Sequence, residues 1–579
     1  VTFAITLLLA ALQQPRDIRP VSRGTAVIAG VVVSDDPDAR PLRHARVTCG
    51  APDVPGHTAI TDDRGRFAFI GLPAGRYGIS ASKDGWIAAS YGARRPNRPG
   101  SPVPLADGQA LEIVLRLPRG AVLSGIVHDF TGEPASGASV QSLRYAIVNG
   151  ERRLVSAGAG GVTDDRGAYR IYGLPAGDFV VSVSSRGVPQ ELRLTTDLDL
   201  QHARADSHAP PPPSRTVKFA ATYFPGTPNP ALATAVTLRA GEERDDIDVQ
   251  MQLEPTVRID GTLASPDGLV PPGADVTLIP TTSAFGMAPP TGLSNRHGVG
   301  ADGAFSYSNL APGTYTIAAR AARPTTNPDG TAGPTQFLWA SSEIAVEGEP
   351  VTGIVLSLQP GMTLSGNVRF VRTILAPPSD MKSVRVSLQP VIAPGLVGFA
   401  PAAVSAEADG HFTISGITPG RYRLAATFPG SGRTNGWILR SAVVNRQDTL
   451  DIPIAIQPNQ NVTDAAITFV DRAASVSGVV QDSGGHGATG FTVVLFPADQ
   501  SLWLPQSRRI QAVRCAADGA FTIGGLPAGD YVVSSIDDVE PGEWFDPAFL
   551  ERLLPGGTKL AIGEGERTTL ELRVGGDRP

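Results

Sequence analysis

The residues of this 579-residue chain best suited to binding chemistry are aromatic. Trp86, Trp339, Trp437 and Trp544 each lie downstream of a strand-like segment that opens on Tyr, and Tyr223 with Phe224 takes the matching place in a further copy. Tyr91 lies close to Trp86 in SYGARRPNRPG. An exposed ring at the end of a β-structure can stack on the apolar face of a sugar. The same ring can instead plug the open end of its own core, and the sequence leaves both uses open. Trp503, in SLWLPQS, stands elsewhere and suits local packing.

The charged residues spell out less. Asp62-Asp63 and Asp164-Asp165 put hard oxygens at turns, where calcium could be held, but the alternate-position carboxylates of a calcium loop are missing. Such pairs also stabilise and solvate a turn unaided. His44, His57, His128, His202, His208, His297, His411 and His486 are scattered, and none has Glu three positions on. Gly-x-Ser-x-Gly, Gly-Lys-Ser/Thr, Gly-x-Gly-x-x-Gly after a strand and His-Glu-x-x-His do not occur. Cys49 and Cys515 fall in the first and last repeats described below, so neither a bridge between them nor a Cys-rich zinc site is expected. No catalytic residue, metal or cofactor is called for, and the chain is expected not to be an enzyme.

What positions these residues is a pattern that recurs five times. Its copies are DRGRFAFIGLPAGRY, DRGAYRIYGLPAGDF, DGAFSYSNLAPGTY, DGHFTISGITPGRY and DGAFTIGGLPAGDY, anchored on Gly65, Gly167, Gly303, Gly410 and Gly519. The anchors are 102, 136, 107 and 109 residues apart, one small domain each rather than a short solenoid unit. Asp-Gly supplies a turn in which Gly can take positive φ. The alternation after it (Phe67 and Phe69, Phe412 and Ile414) means a strand with one buried face. Pro-Ala-Gly or Pro-Gly then reverses the chain into a strand opening on an aromatic, and the two strands are expected to form a β-hairpin.

Upstream of each anchor runs a short strand with Gly at its middle, at Gly30, Gly125, Gly261, Gly366 and Gly478, where a bulge or close backbone approach is expected. A third motif, such as VPLADGQALEIVLRL, closes each copy as a hairpin around Gly; the fourth version, SAVVNRQDTLDIPIAIQ, is looser. About seven short strands per repeat, with turn signals between, indicate an all-β fold: a tandem array of five seven-stranded Greek-key β-sandwiches of transthyretin/Ig-like type. The expected division is 24–118, 119–254, 255–359, 360–473 and 474–579. The best helix candidate is DPAFLERLL, with Asp546 as cap and Pro547 in the first turn. Linkers are nearly absent, which predicts a stiff, extended rod. An insert at 197–215, with Pro210 to Pro213, is expected to be an exposed polyproline-like loop.

Before the first repeat, residues 3–12 form an uncharged apolar run. It is shorter than the ~20 residues of a membrane-spanning helix and suits the apolar core of a signal peptide, so 1–23 are expected to direct export. Net charge is -6, and basic and acidic residues interleave. No basic stripe suits nucleic acid and no polybasic run suits anionic lipid.

The set Gly-x-Val followed by Asp-x-Gly-x-Phe-x-Ile-x-Gly-Leu-Pro-Ala-Gly-x-Tyr resembles the carboxypeptidase regulatory-like domains, transthyretin-like sandwiches also grouped with a carbohydrate-binding-like fold. The resemblance implies the fold and leaves function open. It also implies two tests that this sequence answers. Metallocarboxypeptidase relatives carry a zinc peptidase with a His-x-x-Glu pair, which is missing here. Pilin and adhesin relatives crosslink strands through Lys, yet Lys83, Lys218, Lys382 and Lys559 all lie off the first strands, so no such crosslink is expected. The sequence therefore points to a non-catalytic binding or spacer protein that is secreted, periplasmic or on the cell surface. Its partner would be a carbohydrate, or, in the alternative, a protein of the envelope engaging a structural scaffold or adhesion rod.

Overall fold

A computed structural model of the chain describes residues 24–574, except 52–53, 94, 96–97, 99, 101, 149–150, 187–191, 205–215, 281–295, 301, 328, 332, 334, 392–400, 433–435, 517 and 538. The expected signal segment and Pro210 to Pro213 lie outside the described residues. The chain forms two compact units, Val1–Arg119 and Gly120–Pro579. Both are built almost wholly of strands.

The first unit shows the plan. Strand Ala26–Ser34 lies at the centre of a three-stranded sheet, antiparallel to Arg66–Leu72 and parallel to Ala110–Leu117. Facing it, Arg46–Ala51 pairs with Val54–Ile60 and with Gly75–Ser82, which in turn takes on Ala89–Ser90 and Val103–Leu105. The core between the sheets holds Ile28, Val47, Phe67, Phe69, Tyr77, Ile79 and Leu115. These are the inward positions of the alternation, and each fully buried large side chain contributes about 1.5–3 kcal/mol.

The second unit repeats the plan, with large separate cores within 121–251, 257–358 and 474–572; the core of the fourth repeat also takes in Trp339 of the third. The anchor glycines Gly65, Gly167, Gly303, Gly410 and Gly519 all have positive φ, from 72° to 87°. At the strand centres, the close approach is to the parallel partner: a Cβ on Gly30, Gly125, Gly366 or Gly478 would collide with the carbonyl oxygen of Ile113, Ile247, Ala465 or Leu570.

Three expectations need correction. The Asp-Gly motif does not make a β-hairpin. In every copy its first strand joins the sheet of the glycine-centred strand, while the aromatic-led strand joins the opposite sheet, as Arg66–Leu72 and Gly75–Ser82 do. The Pro-Gly segment is thus an arch across the sandwich, and Tyr77, Tyr315, Tyr422 and Tyr531 fasten it by donating to the carbonyl four residues back, at 2.7–2.9 Å. The closing motif also crosses between sheets: Val103–Leu105 pairs with Gly75–Ser82, and Ala110–Leu117 with Ala26–Ser34.

Second, the insert begins with a helix, Asp197–Arg204, with no buried residue. Thr196 and Asp199 cap it reciprocally, Thr196 Oγ1 accepting from the Asp199 N–H and an Asp199 carboxylate oxygen accepting from the Thr196 N–H. Asp197 and Asp199 in the first turn and Arg204 in the last suit the helix dipole.

Third, Gly120–Pro579 is not an extended rod. The third repeat packs on the fourth and the fourth on the fifth, and the fifth returns to the second. Arg144, on strand Ser139–Val148, pairs with Glu540 at 3.2 Å, and Gly542 sits so close to the Ile147 carbonyl that a Cβ would stand 2.7 Å from it. Short linkers restrict each junction but do not fix its angle, so they do not compel an extended chain.

The candidate helix forms as Pro547–Leu553, capped by Asp546 accepting from the Ala548 N–H. It buries Phe549 and Leu550 against Val494, Phe496 and Trp503, a second core on the outer face of the fifth sandwich.

Candidate functional site

The candidate rings all lie at least partly packed against the protein, and they are not gathered in one place. Trp86 and Tyr91 pack against the first core, and Phe224 against the second. Tyr223 is buried with Leu143, Leu154 and Val180 on the outer face of its sheet. Trp437 is 4% exposed, its edge on Phe370 at 4.9 Å and its Nε1 donating to the Ala376 carbonyl. Trp544 packs beside Phe545 against the outer core of the fifth repeat. Trp503 is buried and donates to the Pro497 carbonyl at 2.8 Å.

Trp339 differs from the rest. It belongs to the third repeat but is counted in the core of the fourth. Its strand, Gln336–Val346, pairs with Gly313–Arg323 on one side and with the linker strand Gln359–Pro360 on the other. Its Nε1 donates to the Pro360 carbonyl at 3.3 Å. Next to it, Phe337 packs on Gly416, where an added Cβ would stand 2.7 Å from the ring, and Arg320 lies over that ring at 5.3 Å. Trp339 also lines a cleft of about 270 Å³, together with Thr316, Ala318 and Ser341 of the third repeat and Thr418, Arg421 and Tyr422 of the fourth.

The fourth and fifth repeats meet through charge. Asp451, its side chain 8% exposed, accepts from Arg508 Nε at 2.8 Å and from Arg509 Nη2 at 2.8 Å, while Arg508 Nη2 reaches Asp448 at 2.9 Å. Burial alone would raise the Asp451 pKa, but the hydrogen bonds and charges of Arg508 and Arg509 outweigh it and hold the carboxyl below its usual range. Arg509 also reaches the Tyr531 hydroxyl, and Arg423 donates to the Pro505 carbonyl. Sequence reasoning missed this cluster. Its signals were the adjacent Arg508-Arg509 and the irregular Asp448-x-x-Asp451, both in the segment singled out as loose or next to Trp503.

The turn carboxylates are engaged by their own turns. Asp62 accepts from the Arg64 and Arg66 N–H groups and pairs with the Arg66 side chain; Asp164 accepts from the Arg166 and Ala168 N–H groups. Among the described residues no three His, Cys, Asp or Glu side chains are grouped to hold a metal ion. Cys49 and Cys515 are free and buried, and burial pushes both thiols up to about 11, away from the thiolate form that reacts. Among the described residues no helix is long and apolar enough to cross a membrane.

No curated protein matches the sequence. Solved structures similar to the chain include the Bacillus anthracis TIE protein, 11% identical over 76% of this chain and 68% of that one, with a TM-score of 0.14. They include the major pilin subunit BcpA of Bacillus cereus, 13% identical over 57% of this chain and 99% of that one, TM-score 0.17. Two B repeat units of the collagen binding protein of Staphylococcus aureus are 9% identical over 77% of this chain and 99% of theirs, TM-score 0.12. At those scores the likenesses decide nothing about what the chain binds. The family model for the carboxypeptidase regulatory-like domain matches residues 27–118, which run from the glycine-centred first strand to the last strand of the first sandwich.

Proposed function

We propose that the chain is a non-catalytic scaffold acting outside the cytoplasm, secreted, periplasmic or on the cell surface, and that its five modules, divided near residues 118, 254, 359 and 473, hold surfaces in fixed relation for protein partners of the envelope. The observation that carries this reading is the bracing of Gly120–Pro579. Ion pairs and hydrogen bonds there serve junctions and arches: Asp451 with Arg508 and Arg509, Arg144 with Glu540, Tyr315 with the Ala311 carbonyl. An enzyme of this size would leave a buried acid, base or nucleophile facing an open site.

The test is photocrosslinking in native cells from a benzophenone side chain placed at exposed Ile70 or Leu269. The scaffold reading expects the protein in the envelope or culture fluid, with a discrete protein adduct. Recovery in the cytoplasm, or turnover of a substrate by the purified chain, defeats it.

A further inference from the structure

We infer that the free edge of strand Gln336–Val346 in the third repeat takes the carboxyl-terminal tail of a partner protein as an added antiparallel strand. This deepens the scaffold reading, on which it rests for the partner being a protein. In the other repeats the strand in this place, paired to the start of the aromatic-led strand, is short: Val103–Leu105, Val236–Leu238, Ile454–Ile456 and Thr558–Ile562 have three, three, three and five residues. Gln336–Val346 has eleven, and Gly313–Arg323 pairs with it along its whole inner side. A short edge strand offers little to an added chain, whereas a long one without Pro is a template.

The outer side shows what the edge accepts. The linker strand Gln359–Pro360 already pairs there, antiparallel, but only at Leu338 and Trp339, and the Gly361 N–H donates to the Phe337 carbonyl at 2.9 Å. Backbone groups alternate sides along a strand, so those of Ser341, Glu343 and Ala345 point outward like those of Phe337. Among the described residues nothing pairs with them, and all three residues are exposed. Their N–H and C=O groups are open to an extended segment.

Charge sets the direction of that segment and its end. The linker strand occupies the ladder at Trp339, so an added strand must stop or turn away beside Ser341. Ser341 lines the cleft of about 270 Å³ whose fourth-repeat wall carries the exposed Arg421. A guanidinium at the stopping point suits a terminal carboxylate and repels a terminal ammonium. Only antiparallel entry brings the carboxyl end there. Residues directly opposite each other in a ladder turn their side chains to the same face. The last residue of the tail, opposite Ser341, therefore faces the cleft, where Ala318 and Val391 suit an apolar side chain. The residue two places earlier lies opposite the exposed carboxylate of Glu343, with exposed Glu347 beyond it, and should be Lys or Arg.

The test is fluorescence anisotropy of the full chain with an amino-terminally labelled peptide, Thr-Ala-Thr-Lys-Thr-Val, as the free acid, as its amide, and with Glu in place of Lys. The free acid is expected to bind one to one, the amide about tenfold more weakly, and the Glu peptide about fivefold more weakly. Arg421→Ala should remove the difference between acid and amide. Glu343→Lys, an exposed change, should reverse the preference between the Lys and Glu peptides. Ser341→Pro should abolish binding with an unchanged circular-dichroism melt, because the N–H it removes faces outward. If that melt is disturbed, the charge reversal at Glu343 decides. No binding of the free acid at ~1 mM, equal binding of acid and amide, or a Lys preference that survives Glu343→Lys overturns the assignment. Each of these leaves the scaffold reading standing, because that reading is decided by the envelope adduct.

Discussion

The junction between the third and fourth repeats and the junction between the fourth and fifth hold their partners by opposite means. At the first, Phe337 lies on Gly416 and Trp339 enters the neighbouring core, so the contact is apolar and uses little charge beyond Arg320 over the ring. At the second, one nearly buried carboxylate, Asp451, is clamped by two guanidiniums. The first geometry is tolerant, since apolar contact is non-directional. The second is specific and fragile: a buried charge is costly unless paired, so removing one partner leaves the other stranded. Two neighbouring junctions of one compact unit should therefore answer differently to truncation, pH and salt.

The largest effect expected is at the ionic junction. Asp451→Ala takes from Arg509 its carboxylate partner and leaves Arg508 with Asp448 alone, and should destabilise the fourth and fifth repeats by about 3–5 kcal/mol, read as a lowered midpoint in urea. The comparison is sharpened by replacing the cluster whole. Asp451→Leu with Arg508→Met and Arg509→Met should recover most of the loss, because the desolvation penalty disappears along with the attraction. If the triple variant is as unstable as Asp451→Ala, the junction is held by something other than this clamp.

At the apolar junction, Phe337→Ala should cost about 2 kcal/mol, below the range for a fully buried Phe because the ring is only half-buried. Its cost should be the same at pH 3 and pH 7. A loss that grows on acidification would show that charge matters at both junctions and erase the contrast.

The pH response separates them further. Asp451 has its pKa lowered in the folded chain, so its pairing stabilises fully above the ordinary aspartate value near ~4 and is lost as pH falls through the lower folded value. Between pH 5 and pH 2 the melting temperature of the wild type should fall more steeply than that of Asp451→Asn. Other turn carboxylates with lowered pKa values, such as Asp62 and Asp482, contribute equally to both proteins and cancel in the difference. Parallel slopes would mean that Asp451 does not carry the acid sensitivity.

How much of this could be seen in the sequence follows from what period-two alternation encodes. It tells which face of a strand is buried, and so Phe67, Phe69, Phe412 and Ile414 were placed in cores correctly. The anchor and mid-strand glycines were legible as well, because positive φ and close backbone approach are properties that only Gly meets freely. Alternation does not say which strand is the neighbour, and an arch across the sandwich has the same pattern as a hairpin within a sheet. The hydroxyl of Tyr77 or Tyr531, bonded to a carbonyl four residues back, marks the arch, but a Tyr at that place also reads as a core residue. For the rings, the sequence showed recurrence and could not show direction: Trp437 turns into its own core, whereas Trp339 turns into its neighbour's. Junctions were the least legible because Asp451 and Arg508 lie 57 residues apart and meet only once two modules have docked.

The weakest of the contacts bears on the largest feature. Arg144 and Glu540 join the second repeat to the fifth, and both are about 40% exposed, at 42% and 37%. An ion pair so placed is worth less than about 1 kcal/mol and is screened by salt. Arg144→Gln should therefore leave the melting temperature nearly unchanged. Its effect should appear instead as faster amide exchange in the turn Glu543–Phe545, which packs against the Ser139–Val148 strand. Raising salt to 1 M should reproduce that acceleration in the wild type and add little to the variant. Exchange in that turn that ignores both changes would detach the fifth repeat from the second and restore an open chain of modules, leaving the two central junctions as the whole of the bracing.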